Sequence, residues 1–140
     1  MTSDQIYQQS LLTFKNHAGS GIKALKLQQP DFSPVLSHIC FKFTDMTSYQ
    51  EAIEAAKELG TVSNEQFNGK EISWCKLDNP IKSDDLTLEW LEMVEPKIEK
   101  NAFNGITSIG YYVPELADVV KIQSIDEAIL YRYQPFSVHP

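Results

Sequence analysis

The sequence has few cysteines, few basic residues and no long apolar run, and each shortage argues against a class of protein. Its two cysteines, Cys40 and Cys75, fall inside predicted strands, which favours buried thiols over a disulfide. Free thiols in turn favour a cytoplasmic location. Twelve Lys and Arg stand against nineteen Asp and Glu, a formal net charge of −7. This balance argues against nucleic-acid binding, which needs cations to displace phosphate counterions. No run approaches the ~20 apolar residues of a membrane span, and the N-terminal segment lacks a signal-peptide pattern.

The remaining composition favours a single mixed domain. Apolar residues make up 42% of the chain and aromatic residues 11%, which is enough for a packed core in a chain of this length. We divide the chain into a helical preface over residues 1–34, a first module over 35–96 and an abbreviated second module over 105–137.

The helical preface is predicted to contain two helices. A stripe of apolar residues predicts an amphipathic helix over residues 3–17. Gly19 and Gly21 are expected to end this helix, and a shorter helix is expected over 22–28.

The first module is predicted to follow the order β-α-β-β-β. Its first strand, residues 36–44, alternates so that one face is wholly apolar and the other is more polar. The polar face of that strand carries His38, Cys40 and Lys42. A helix is predicted over 48–59, with Ser48 and Glu51 as its capping box. The other predicted elements are strands over 61–66, 71–77 and 86–94, a hairpin turn at Asn68-Gly69 and a loop over 78–85.

The second module is predicted to begin like the first and to be shorter. A strand over 106–113 leads into a short helix within 114–121, and a final strand covers 127–133. The predicted fold class is therefore α+β, with the two modules forming a curled, mostly antiparallel sheet behind an N-terminal helical preface. The duplication is inferred from the order of the elements, because the sequence contains no strong internal repeat.

Two metal-competent side chains, His38 and Glu92, lie among apolar neighbours on predicted strands. An imidazole and a carboxylate on neighbouring strands can begin a divalent-metal site. Two plainer interpretations stay open. His38 can be a hydrogen-bonded histidine at a strand edge, and Glu92 can face solvent or pair with Lys42 or Arg132. No phosphate loop, dinucleotide fingerprint or nucleophile elbow is present.

Three stretches of the sequence resemble YecM-type proteins of the vicinal-oxygen-chelate superfamily, which includes glyoxalase-like isomerases and dioxygenases. They are LGTVSNEQFNGKEISWCKL at 59–77, LEMVEP at 91–96 and NGITSIGYYVPE at 104–115. The resemblance covers residues 5–137. It implies two β-α-β-β-β modules that curl into a half-open cup around a divalent metal, with ligands from the first and last strands of each module.

The resemblance also implies a ligand set. His38 and Glu92 match the ligand positions of the first module, whereas the positions of the second module fall at Ser108 and Gln134. A His-Glu-Gln set completed by water would hold Zn, Mn, Fe or Ni, although Ser108 is a poor ligand and Gln134 offers only a neutral carbonyl oxygen. The substrate-binding residues implied beside the metal are Arg132, Lys42, Trp90 and Ser108.

Three functions are consistent with these residues. One is binding of a small molecule or a divalent metal on a glyoxalase-like scaffold without catalysis. Another is a metal-dependent enzyme of the isomerase, dioxygenase or lyase type. The third is a protein–protein interaction module, including a homodimer built through exposed strand edges. Stoichiometric metal would separate the first two from the third, and turnover of a dicarbonyl-like substrate would separate the enzyme from the binding protein.

Overall fold

The computed structural model describes residues 1–97 and 102–122 in full and residues 130–133 as backbone, and these contain three α-helices and seven strands. The helices are α1 (Ser3–Thr13), α2 (Gly19–Gln28) and α3 (Met46–Ala56). The strands are β1 (Val35–Lys42), β2 (Gly60–Phe67), β3 (Lys70–Ser83), β4 (Leu86–Val94), β5 (Gly105–Val113), β6 (Asp118–Ile122) and β7 (Leu130–Tyr133). A π-helical segment, Phe14–Ala18, joins α1 to α2, and a 3₁₀ turn, Pro114–Leu116, follows β5.

The seven described strands form one sheet in the order β2-β3-β4-β1-β5-β6-β7. β1 and β4 run parallel, and the other neighbouring pairs run antiparallel. The predicted α+β fold with a mostly antiparallel sheet is therefore confirmed. The parallel pair arises because α3, β2 and β3 separate β1 from β4 along the chain, which supplies the long crossover that parallel neighbours need.

The N-terminal helices correct the prediction that Gly19 and Gly21 end a helix. The chain stays helical over residues 3–28, and both glycines lie within α2. A Cβ at Gly21 would lie 2.0 Å from the Oη of Tyr111. That hydroxyl donates a 2.8 Å hydrogen bond to the carbonyl oxygen of Ala18. Gly21 therefore permits a close approach of α2 to β5 and does not break the helix.

The start of α3 also differs from the prediction. The N-cap is Asp45, whose Oδ1 accepts a 2.7 Å hydrogen bond from the backbone N–H of Ser48. Ser48 therefore lies inside the first turn and does not cap it. A carboxylate at this position satisfies an N–H that has no partner within the helix.

The hairpin predicted at Asn68-Gly69 is confirmed, and both residues have positive φ, 51° and 76°, as this turn requires. The loop predicted over 78–85 is wrong, because β3 continues to Ser83 and the turn falls at Asp84-Asp85. The register of β3 against β4 shifts between Lys76 and Ile81. Pro80, which cannot donate to a strand neighbour, lies within this shift.

The second module differs from the first in its connection. The helix predicted within 114–121 is reduced to the 3₁₀ turn, and Asp118–Ile122 forms β6, antiparallel to β5. The link over 114–117 is too short for a crossover to a parallel neighbour, so β5, β6 and β7 form a meander. The final strand predicted over 127–133 is observed as β7, and residues 127–129 lie outside the described part of the chain.

One face of the sheet, which we call the helical face, packs against the helices in a continuous apolar core. Its buried members include Ile6, Phe14, Leu25, Ile39, Phe41, Phe43, Tyr49, Leu91, Met93, Ile109 and Tyr111. The face of β1 predicted to be apolar therefore meets the helices as expected. None of the described helices is long and apolar enough to cross a membrane.

The two glycines of α2 should respond in opposite directions to substitution by alanine. Gly19 has no atom within 4 Å of an added Cβ, so Gly19→Ala should raise the free energy of unfolding by up to about 1 kcal/mol through helix propensity. Gly21→Ala places its methyl group against Tyr111 and should lower that free energy by about 1–3 kcal/mol. Urea denaturation of both variants measures the difference, and equal effects would contradict the proposed role of Gly21.

Candidate functional site

The opposite face of the sheet carries the polar side chains, and we call it the polar face. The register pairs His38 of β1 with Trp90 of β4 and Gly110 of β5. One step along β1, Cys40 is paired with Glu92 of β4 and Ser108 of β5. The polar face is thus defined by His38, Cys40, Trp90, Glu92, Ser108 and Gly110, together with Trp74 of β3 and Lys121 of β6, which pair with Glu92 and Gly110.

His38 is fully buried and is held from several sides. Its Nε2 lies 3.4 Å from Glu92 Oε1, and its Nδ1 lies 3.0 Å from the hydroxyl of Ser37. The ring meets Trp74 edge to face with 5.0 Å between centroids, and Trp74 is fixed in turn by a 2.9 Å hydrogen bond from its Nε1 to Glu65. The imidazole therefore has a defined orientation toward Glu92.

Gly110 provides the space for the His38 ring. A Cβ at this position would lie 2.3 Å from His38 Cε1, closer than any side chain could tolerate without a shift. The ring of His38 thus packs directly over the backbone of β5, its antiparallel neighbour. In the sequence, Gly110 looks like an isolated glycine in a strand, and its reason becomes visible only when the two strands are paired.

Glu92 is also fully buried, and its carboxylate accepts a hydrogen bond from the ammonium of Lys121, which is only 4% exposed. The two residues lie on β4 and β6, with β1 and β5 between them. Three strand spacings amount to about 14 Å in a flat sheet, so the contact requires two inward-leaning side chains on a curled sheet. The small side chains of Cys40 and Ser108, on the two intervening strands, leave the space that this contact needs.

The ionisation of the cluster follows from burial and charge. Burial lowers the pKa of His38 below its usual 6.5, and the hydrogen bond and charge of Glu92 only partly oppose this effect. For Glu92, burial favours the neutral acid, but the hydrogen bond from His38 and the nearby charge of Lys121 together bring the pKa below its usual range. At neutral pH the cluster therefore holds a neutral imidazole beside a carboxylate–ammonium pair.

Cys40 and Ser108 are the two small side chains between Glu92 and Lys121 on the polar face. Burial, reinforced by the charge of Glu92, raises the pKa of the Cys40 thiol, so the thiol stays protonated and is a poor nucleophile. The hydroxyl of Ser108 is buried beside the Cys40 thiol, and the two residues are paired across β1 and β5. Neither side chain has the environment of an activated nucleophile.

A cavity of about 360 Å³ opens over this cluster. Its charged lining consists of Lys42, Lys70, Lys97, Lys121, Glu92 and Glu95, and its apolar lining includes Phe43, Phe67, Ile72 and Val94. The described lining therefore holds four lysines and two glutamates, an excess of two positive charges, whereas the whole chain carries a formal net charge of −7. The local sign is therefore opposite to that of the protein, which favours anions in this cavity.

The structure brings some of the sequence-predicted residues together. His38, Glu92 and Ser108 share the polar face, and Lys42 lines the cavity with its Nζ 4.5 Å from the Phe103 ring centroid. Trp90 is half-buried on the same face, with its ring centroid 6.5 Å from that of Trp74. Gln134 and the side chain of Arg132 lie outside the described residues.

Lys121 is the functional candidate that the sequence analysis missed. The prediction placed it at the end of a short helix, where it would have been an ordinary surface lysine. The composition of its segment, DVVKI, held the contrary signal, because β-branched residues favour a strand. In β6 alternation sends Lys121 to the polar face.

In the arrangement of the described residues, the predicted ligands His38 and Glu92 do not form a site for a divalent metal. Glu92 Oε1, the carboxylate oxygen that lies beside His38, already accepts the hydrogen bond from Lys121. The described residues contain no group of three or more His, Cys, Asp or Glu side chains placed to hold a metal ion. A metal would therefore have to displace a buried ammonium and find further ligands elsewhere.

Comparison with known proteins gives one family and one fold. The family model described as YecM protein matches residues 3–131. A solved structure titled "Structural Genomics, Protein EC4020" superposes with a TM-score of 0.61 at 13% sequence identity, covering 96% of this chain and 87% of that one. At this identity the likeness shows the fold alone. No curated protein matches the chain.

The buried ion pair makes a strong prediction for stability. Glu92→Gln breaks the buried ion pair with Lys121, which should lower the free energy of unfolding by about 3–5 kcal/mol. The double variant Glu92→Gln/Lys121→Met removes both charges and should recover much of that loss. Glu54→Gln, which breaks an exposed pair with Lys57 (2.8 Å), is the matched control and should cost less than about 1 kcal/mol. Equal losses in the two single variants, measured by urea denaturation, would contradict the buried pair.

The lowered pKa of His38 predicts a pH dependence of stability. Because burial lowers the pKa of His38 in the folded state, the unfolded chain takes up a proton on this imidazole at a higher pH than the folded protein does. The free energy of unfolding should therefore fall as the pH drops below 6.5, with a slope of at most about 1.4 kcal/mol per pH unit from this group.

His38→Gln should flatten this slope, and His17→Gln, on the helical segment before α2, should retain it. Denaturation between pH 7.5 and 5 isolates the effect, because Glu92 contributes its own loss only below its usual pKa of 4.5. A wild-type slope that persists in His38→Gln would assign the dependence to other groups.

Proposed function

This chain belongs to the YecM protein family, and we propose that it is a small-molecule-binding protein on a glyoxalase-like, vicinal-oxygen-chelate scaffold. The proposed ligand occupies the cavity over Glu92 and Lys121 and carries an acid group. The single observation that carries the proposal is the electropositive cavity of about 360 Å³ on the polar face of an acidic protein.

The sheet supports the assignment of the scaffold. The first module has the order β1-α3-β2-β3-β4, and its first and last strands, β1 and β4, are neighbours. β1 also pairs with β5, the first strand of the second module, so the two modules meet through their first strands. His38 and Glu92, on the first and last strands of the first module, consequently face the same cavity side of the sheet.

The cavity has the properties of a site for a small acidic molecule. Its volume is at the lower end of the range for ligand pockets, about 300–1,000 Å³. Lys42, Lys70 and Lys97 line the cavity together with Lys121, so its lining attracts a carboxylate or phosphate. Phe67 and Val94, both half-buried, provide apolar surface for the remainder of the ligand.

Binding without turnover is favoured by the chemistry of the described side chains. The thiol of Cys40 is kept protonated by burial, and the acidic partner of His38 is already paired with Lys121. A general base needs free access to the proton that it abstracts, and the fully buried His38 ring does not offer it.

A panel of small carboxylic acids and phosphate monoesters, each beside its amide or alcohol analogue, tests the proposed function. Acids that bind should raise the thermal midpoint of unfolding, since a ligand at 100 times its Kd adds about 2.7 kcal/mol of stability. The two tryptophans, Trp74 and Trp90, both lie on the polar face and should report binding by fluorescence.

Two matched Thr→Trp variants locate the site. Thr107 lines the cavity, so Thr107→Trp should abolish the stabilisation by filling it. Thr61→Trp, at an exposed position of β2, should leave the stabilisation intact. Neutral analogues that bind as well as the acids, or acid binding that survives Thr107→Trp, would contradict the proposal.

A further inference from the structure

We propose that the Lys121 ammonium takes the place of a divalent metal in this site, so that His38 and Glu92 bind no metal while the lysine is present. The inference deepens the proposed function. Its statement about how the ligand is held rests on that proposed function. The acid group of the ligand would then be bound by lysine ammonium groups and not by a metal ion. The metal half of the inference stands on the geometry of three side chains alone.

The distance between His38 and Glu92 explains why a cation fits beside these two side chains. His38 Nε2 and Glu92 Oε1 are 3.4 Å apart, close to the spacing of two ligands on one tetrahedral ion with bonds of roughly 2.0–2.2 Å. Lys121 donates to that same Oε1. The ammonium thus takes up the carboxylate oxygen on which a metal shared with His38 would depend.

The surrounding burial makes the lysine a fixed part of the site. Glu92 is fully buried and Lys121 is 4% exposed, so water offsets little of the charge of either group when the pair is broken. An incoming metal would have to break the buried ion pair between Glu92 and Lys121, which is strongly unfavourable. The ion pair therefore opposes metal binding energetically and not only by occupying space.

The second module provides this cation through its altered connection. Because a 3₁₀ turn and not a helix follows β5, β6 lies antiparallel beside it, with Lys121 opposite Gly110. The residue of β5 that pairs with Cys40 is Ser108, which has neither an imidazole nor a carboxylate to offer a metal. The module that the resemblance expects to complete a metal site instead supplies a charge that replaces the metal.

Metal titration of wild-type protein and lysine variants tests the inference. Zn²⁺, Mn²⁺ and Ni²⁺ are titrated separately, with calorimetry and the thermal midpoint of unfolding as readouts. The wild type, Lys121→Arg and Lys76→Met (an exposed lysine beside Trp90) should bind no equivalent and show no shift. Lys121→Met should gain one bound equivalent and a raised midpoint with at least one ion, and Lys121→Met/His38→Ala should lose both.

Three outcomes would overturn the inference. They are one equivalent of metal in the wild type that His38→Ala loses, metal uptake by Lys121→Arg equal to that of Lys121→Met, and a folded Lys121→Met that binds none of the ions. If Lys121→Met folds only when an ion is added, that dependence supports the inference.

A measurement on the wild type covers the case in which Lys121→Met does not fold at all. The NMR signals of the His38 imidazole should be unchanged by each ion, and a stoichiometric shift would overturn the inference. Failure of the proposed function is distinguishable, because it appears as acids that do not bind or are insensitive to Thr107→Trp. A wild type that binds both acid and metal would sink this inference and leave the proposed function standing.

Discussion

Glu92 carries a carboxylate with no exposed surface in the middle of a seven-stranded sheet, and removing such a charge from water costs several kcal/mol unless a partner offsets it. The partner is Lys121, two intervening strands away, and the arrangement of the polar face follows from that requirement. The sheet has to curl, the residues between the partners have to be small, and β6 has to lie next to β5. The interaction therefore constrains the second module as much as the first.

Alternation along β1 supplies both the apolar core and the polar site, and a register shift near its start sets the face of Leu36 apart from that of His38. Leu36 pairs with Tyr111, whose hydroxyl reaches the helices, whereas His38 pairs with Gly110. The pairing of β1 with β5 shifts between Leu36 and His38. Such a shift changes which face the following side chains occupy, so Leu36 joins the core while His38, two residues later, lies on the polar face.

The part of the fold that depends on local pattern was predictable from the sequence. Alternation located the strand of His38 and that of Glu92, and Asn68-Gly69 marked the hairpin between β2 and β3. Both signals act within a few residues, because they depend on side-chain period and turn geometry. The errors lie where distant contacts decide. Gly21 is required by Tyr111 and Gly110 by the ring of His38. Residues 114–121 were assigned to a helix although DVVKI favours a strand, and the pairing of that segment with β5 is a distant contact.

The same reasoning explains why the candidate site was only half predictable. The sequence pointed to His38 and Glu92 as a pair, and the structure places them 3.4 Å apart. Their partner belonged to a segment with the wrong predicted secondary structure, so its side chain had no predicted direction.

Charge balance argues that the lysine changes what this scaffold can do. A divalent ion beside one carboxylate and a neutral imidazole leaves a net charge of +1 in a buried site, whereas the lysine leaves none. An ammonium offers three N–H donors but no open coordination position, so it can bind a carboxylate or phosphate oxygen and cannot chelate two oxygens of a substrate as a metal does. If the Lys121 ammonium replaces the metal as proposed, the site would recognise an acid without the Lewis acid on which glyoxalase-like chemistry depends.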